Sequence, residues 1–262
     1  LPVTEGEESV AAYKVLGRIE APPVSDLPFF GREAIVSELV RHYLQRGAPG
    51  GVAGTAAGVT LIGEAGIGKT RVATAFVDRL RRFPEFDAPV LYARARRFRR
   101  ATFSVIRDLI QSGLGLDWEA GSSRVVDRLA SLSEVSEEDA RRFAELLEQT
   151  AVEPREDAES GSFVLLYTIL EELCRSGSAE YPALLFVDNL QYIDQQSRDF
   201  LAFFLQNTET HPFVLATSRQ DPREESAEFG ETEVISLGPL DREDARRLMV
   251  QQLGEQKRSI LE

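Results

Sequence analysis

Five short runs of apolar and β-branched residues punctuate the chain: Val59–Ile62, Pro89–Ala93, Ala183–Asp188, Phe213–Thr217 and Glu233–Leu237. Each is bounded by turn-forming residues, and each predicts a strand. Ala183–Asp188 is apolar up to its last residue, as a strand buried on both faces of a parallel sheet should be. Between the runs the apolar residues recur at helical spacing. Glu33–Arg46 places Ile35, Leu39, Val40 and Tyr43 on one face, with His42 on the polar side, and Gly47 stops it. Further helices are predicted over 71–81, 103–112, 122–132, 137–149, 162–175 and 197–207, and from Asp241 to about Leu253. Ser136, with Asp139 three residues later, and Asp241 have the character of helix caps. Strands alternating with helices give an α/β fold, a parallel five-stranded sheet flanked by helices. The Gly-, Ala- and Pro-rich stretch 47–58 and the acidic stretch 150–161 are predicted as loops, and the acidic, Pro-ending segment 1–28 as a linker or tail.

The first strand leads into Gly63-Glu64-Ala65-Gly66-Ile67-Gly68-Lys69-Thr70, which fills the pattern G-x-x-x-x-G-K-[ST] and is followed by a helix opening at Arg71. Strand, glycine-rich loop and helix in that order suit a polyphosphate. Glycines let the backbone turn its amides inward, and the helix points its positive end at the same anion. The loop residues and Arg71 are therefore candidate nucleotide contacts. Lys69 would neutralise the β- and γ-phosphates, and Thr70 would offer its hydroxyl to Mg²⁺. The strand Leu184-Leu185-Phe186-Val187-Asp188 supplies the second metal candidate, because ligands sit at the carboxyl ends of such strands. The next residue is Asn189, where many ATPases carry an acid. An amide can orient water but cannot take its proton, so slow hydrolysis is expected. Asp194 is the nearest later carboxylate, and it is either that base or the cap of the helix after it. Thr217-Ser218-Arg219 ends another strand with hydroxyls and a guanidinium, and Arg219 is a candidate reader of the γ-phosphate.

Composition narrows the partners. A net charge of −13 argues against a general nucleic-acid binder, although Arg94, Arg96, Arg97, Arg99 and Arg100 crowd the end of the second strand. That cluster is read as a contact for phosphate, nucleic acid or an acidic partner, or as a solvated loop in a chain with 27 arginines and three lysines. Cys174 is the only cysteine, which excludes an intrachain disulfide and suits a reducing, cytoplasmic setting. Two histidines, His42 and His211, and one cysteine far apart give no zinc pattern. No apolar stretch reaches the length of a bilayer span, and the longest is Phe163–Leu170. Without an initial Met, the chain reads as a piece of something longer.

These motifs together resemble the signal-transduction ATPases with numerous domains. Phe29-Phe30-Gly31-Arg32-Glu33 resembles their F-V-G-R-E motif, Asp188-Asn189-Leu190-Gln191-Tyr192-Ile193-Asp194 their D-D-L-Q-W-A-D segment, and Thr217-Ser218-Arg219 their T-S-R sensor. Leu237-Gly238-Pro239-Leu240-Asp241 resembles the L-x-P-L-S turn that opens their helical lid. The resemblance covers about residues 29–253 and departs at Asn189 and Tyr192. It implies an ATPase core over 29–238, the start of a lid over 239–262, and ATP or ADP with Mg²⁺. It places Phe30, Gly31, Arg32 and Pro239 near the nucleotide and couples nucleotide state to other domains, a protein effector or oligomerisation. Val10–Gly17 resembles the end of class III nucleotide cyclase domains joined to such ATPases. The leading expectation is an ATP-binding regulatory module with slow hydrolysis. The alternatives are a nucleic-acid-dependent ATPase or loader, and a scaffold that holds ADP without turnover.

Overall fold

The structure, a computed structural model, describes residues 2–5, 8–11, 29–47, 57–97, 102–116, 122–132, 135–148, 156–177, 181–221 and 232–259. Two strands come first, β1 (Pro2–Glu5) and β2 (Glu8–Ala11), an antiparallel hairpin within the segment expected to be a linker. They are followed by α1 (Glu33–Gly47), β3 (Gly58–Ile62), α2 (Lys69–Leu80) and β4 (Val90–Arg94). Four helices come next: α3 (Ser104–Gly113), α4 (Ser122–Leu129), α5 (Glu137–Glu148) and α6 (Glu156–Arg175). The chain then runs through β5 (Leu184–Asp188), α7 (Gln195–Asn207), β6 (Phe213–Ser218), β7 (Thr232–Ser236) and α8 (Arg242–Ser259).

The five strands β3 to β7 form one sheet in the order β4-β5-β6-β3-β7, every pair parallel. Alternation along the strands divides the core in two. Leu184 and Phe186 of β5 and Phe213 and Leu215 of β6 point to one face, where Leu39 and Tyr43 of α1 and Val72 and Phe76 of α2 cover them. Leu185, Val187, Val214 and Ala216 point to the other face, under α3 to α7. There Phe200 and Phe204 of α7 stack with rings 9° from parallel. Covering both faces is what lets β5 be apolar up to Asp188. All strands run the same way, so their carboxyl ends meet at one edge of the sheet. That edge carries the glycine-rich loop, Asp188, Ser218 and Arg94.

Three expectations are corrected. The stretch 150–161 is not a loop throughout, because α6 begins at Glu156. Polar, acidic sequence marks loops and helix starts alike, since acidic residues are in general favourable near a helix's positive end. Helix α8 continues to Ser259, past Leu253. His42 does not face water freely: its side chain is 9% exposed, with Nε2 3.2 Å from Glu233 Oε2 on β7. The expected cap of α5 forms reciprocally, Ser136 Oγ accepting from Asp139 N and donating to Asp139 Oδ2. The cyclase-like stretch 12–17, the loop 48–56 and Arg99 and Arg100 lie outside the described residues. No described helix is long and apolar enough to cross a membrane.

Candidate nucleotide site

β3 ends at Ile62, and the loop turns back through Gly63 and Gly66, with Gly68 at φ 100° as the residue before α2. That left-handed conformation suits glycine and disfavours other residues. The turn throws Glu64, Ala65 and Gly66 outward and Lys69 inward. Lys69 is buried, and its Nζ donates to Gly63 O at 2.7 Å and Glu64 O at 2.8 Å. An ammonium has three donors, so one remains for an anion. Burial lowers the lysine pKa; the nearby charge of Arg219 lowers it further, and Asp188 works the other way.

Asp188 ends β5 nearly free of solvent contact, at 1% exposure. Its Oδ1 accepts from Thr70 Oγ1 at 2.8 Å and from Thr217 Oγ1 at 2.6 Å. One carboxylate oxygen thus joins the start of α2 to the end of β6. Thr217 Oγ1 also accepts from Asn189 N at 2.9 Å, and Asn189 adopts φ 62° as the chain enters a single 3₁₀ turn, Leu190–Tyr192. The Asn189 amide lies 3.5 Å from Asp188 Oδ2. The hydroxyl proton of Thr217 is therefore spent on the Asp188 carboxylate.

Asp194 takes the capping role of the two open from the sequence, and it does so twice. Its Oδ1 accepts from Ser197 N at 2.9 Å, capping α7. The same carboxylate accepts from Phe103 N and Ser104 N, both at 3.1 Å, and from the hydroxyls of Ser104 and Ser197, both at 2.7 Å. Helix α3 starts after Phe103, which sits at φ 54° and offers no side-chain cap; Asp194 supplies one from outside. Five donors occupy a carboxylate with about four lone-pair sites, which leaves little capacity for accepting a proton from water.

Arg219 is exposed, with its guanidinium 5.8 Å from the centroid of the Tyr192 ring and its backbone N donating to Gln191 Oε1. That ring is within cation–π range. Arg219 influences Lys69 through charge, and it does not join the Asp188 cluster. Arg94 does: its Nε lies 3.5 Å from Asp188 Oδ2. In the sequence Arg94 is one of a cluster of arginines, and local pattern does not name Asp188 as its neighbour on the next strand.

Beside the loop lies a cavity of about 190 Å³, lined by Phe29, Phe30, Arg32, Gly66, Ile67, Gly68, Arg71, Val72, Leu240 and Leu248. It falls short of the roughly 300–1,000 Å³ of a site for a whole drug-sized ligand, and suits one heterocyclic base with its sugar and phosphates lying along the loop. Residues before α1, the loop and α8 all line it. Arg32 is buried and donates to Gly238 O at 2.7 Å, tying the segment before α1 to the one before α8. Gly31 sits at φ 75°, and a Cβ there would lie 2.3 Å from Asp244 Oδ2. Pro239 is exposed, and Leu240 and Leu248 line the cavity instead. Arg71 Nη2 is buried without a hydrogen-bond partner, and burial lowers the guanidinium pKa. A buried donor of this kind asks for an acceptor, and an anionic ligand would supply one.

A glycine-rich loop between strand and helix, above a buried aspartate at the carboxyl edge of a parallel sheet, defines a nucleotide-binding α/β module. Residues 28–216 match the model of the AAA ATPase domain, and the chain belongs to that family. No curated protein matches the chain. Among solved structures it is similar to a signal-transduction ATPase with numerous domains carrying a tetratricopeptide repeat sensor, from Pyrococcus horikoshii, at 16% identity over 86% of this chain and 25% of that one, TM-score 0.44. It is also similar to Cdc6p from Pyrobaculum aerophilum, at 14% identity over 88% of this chain and 51% of that one, TM-score 0.47. A third is Drosophila ORC bound to DNA, at 15% identity over 87% of this chain and 52% of that one, TM-score 0.47. The chain spans between a quarter and about half of the length of these relatives.

Proposed function

We propose that this chain is an ATP-binding regulatory module of a larger signalling protein, in which slow Mg²⁺-dependent hydrolysis acts as a switch. The observation that carries the reading is the join of Thr70, Asp188 and Thr217 beside Lys69. In this reading residues 29–238 are the ATPase core, 239–262 begin a lid, and 1–28 connect to an upstream domain. Lys69 and the backbone amides at the start of α2 bind the β- and γ-phosphates. Arg71 answers its buried, unpaired Nη2 with a phosphate oxygen. The base enters the cavity between Phe30 and Leu240. The sequence holds no Asn-Lys-x-Asp guanine motif, which agrees with adenine.

The residues present fit Mg²⁺. Thr70 Oγ1 and the Asp188 carboxylate are hard oxygen donors, and no group of three or more His, Cys, Asp or Glu among the described residues could hold a metal alone. That suits a cation held by one or two protein oxygens and the nucleotide's own phosphates. When bound, it would neutralise the phosphate charge that builds during transfer. Asn189 orients water without taking its proton, and the saturated carboxylate of Asp194 does not replace it as a base. Arg219 reads the γ-phosphate on leaving the Tyr192 ring.

The test is Lys69→Ala in a calorimetric titration with ATP and ADP. Binding is expected to disappear, and unchanged affinity would remove the proposal. Asn189 together with the occupied Asp194 also favours a second reading, a scaffold that holds ADP without turnover. ADP found in the purified protein, with no phosphate release, would select it. A nucleic-acid-dependent ATPase would instead show stimulation by DNA or RNA with steep salt dependence. A link to a nucleotide cyclase rests on the resemblance at Val10–Gly17 alone.

A further inference from the structure

Arg94 is the last residue of β4 and stands opposite Asp188 in the parallel register. The backbone fixes it there, with Ala95 N donating to Asp188 O at 2.9 Å. The two oxygens of Asp188 are unequally engaged. Oδ1 accepts two short bonds, from Thr70 and Thr217. Oδ2 has two longer neighbours, Arg94 Nε and the Asn189 amide, each at 3.5 Å. Oδ2 is thus the oxygen on which another cation can act, and Arg94 is the charge already beside it. The carboxylate side chain is 2% exposed, and the arginine side chain is 54% exposed. Left alone, so buried a carboxylate would be costly. The guanidinium offsets that cost, while its long, half-solvated stem lets it move away.

We infer that Arg94 is a built-in counter-ion that neutralises Asp188 in the metal-free protein and competes with a divalent cation for Oδ2, so that it sets how much Mg²⁺ the site requires. The inference rests on the proposed reading of the site as one for a Mg²⁺-nucleotide. It assigns Arg94 a role distinct from contacting phosphate. A phosphate contact would strengthen ADP binding with or without metal, whereas a competitor opposes the metal. Because one partner is largely exposed, the effect should be modest, about threefold to tenfold in the Mg²⁺ midpoint.

The experiment is calorimetry of ADP binding to the full chain in EDTA and across a Mg²⁺ titration, for the unaltered protein, Arg94→Gln and Arg94→Lys. Arg94→Gln is expected to half-saturate at about threefold to tenfold lower Mg²⁺, with Arg94→Lys close to the unaltered protein. An unchanged or raised midpoint overturns the inference, and so does an equal loss of ADP affinity with and without Mg²⁺. A second measurement needs no nucleotide. Arg94→Gln should lower the melting temperature in EDTA in the unaltered background, and lower it less in an Asp188→Asn background. Equal shifts in the two backgrounds refute the pairing. If the unaltered protein binds no ADP, the proposed function fails, and the melting comparison still decides whether Arg94 serves Asp188.

Discussion

Replacing Asp194 by alanine tests whether this carboxylate acts as a cap. The substitution removes the N-cap of α7, which costs about 1 kcal/mol. It also strands the backbone N–H groups of Phe103 and Ser104, which lie at the start of α3 and donate to Asp194 at 3.1 Å. Each loses a hydrogen bond to a charged acceptor, so about 1 kcal/mol each is a conservative figure. The expected destabilisation is about 3 kcal/mol, a large share of the 5–15 kcal/mol typical of a folded domain. At roughly 2–4 °C per kcal/mol for a chain near this size, the melting temperature should fall by about 6–12 °C. Urea denaturation followed by circular dichroism gives the free energy directly. Asp194→Asn keeps one acceptor oxygen and should lose about half as much. The reasoning is refuted if Asp194→Ala costs less than about 1 kcal/mol while phosphate release is abolished, for that is the behaviour of a catalytic base.

Further outcomes follow from the same geometry. Asn189→Asp should raise steady-state phosphate release, and no gain in a phosphate assay would mean that water is activated elsewhere. Gly31→Ala should weaken ADP binding by about tenfold, because φ 75° strains alanine and its Cβ would strike Asp244; unchanged affinity in a competition titration would show that the segment before α1 can shift freely. Lys69→Ala and Arg94→Gln, described above, should separate loss of phosphate grip from altered demand for metal.

Much of the sheet was legible in the sequence. Its strands are short apolar runs between turn residues, and both faces of β5 are covered, so Leu184–Val187 leaves no ambiguity of pattern. The loop was legible because its chemistry is local: eight consecutive residues, Gly63 to Thr70, make the turn and present the lysine. What could not be read depends on neighbours distant in the chain. Arg94 meets Asp188 only because β4 lies next to β5, with four helices and their connections in between. From its position Asp194 reads equally as a base or as the cap of α7, and the contact that separates the two, its hold on α3, crosses 91 residues. His42 looked polar on its own helix and finds Glu233 on the far edge strand. The start of α6 was hidden because acidic residues mark loops and helix beginnings alike.

Among the described strands β7 pairs only with β3, the strand that becomes the glycine-rich loop. Beyond the ladder, Leu237 N still donates to Ile62 O at 2.8 Å, and Leu237 O would lie 2.7 Å from a Cβ on Gly63. The strand leading to α8 is thus sewn along the stalk of the lysine-bearing turn. A displacement of α8 would therefore be felt in the main chain at Gly63, whose carbonyl holds the Lys69 ammonium, rather than be absorbed in a free connection.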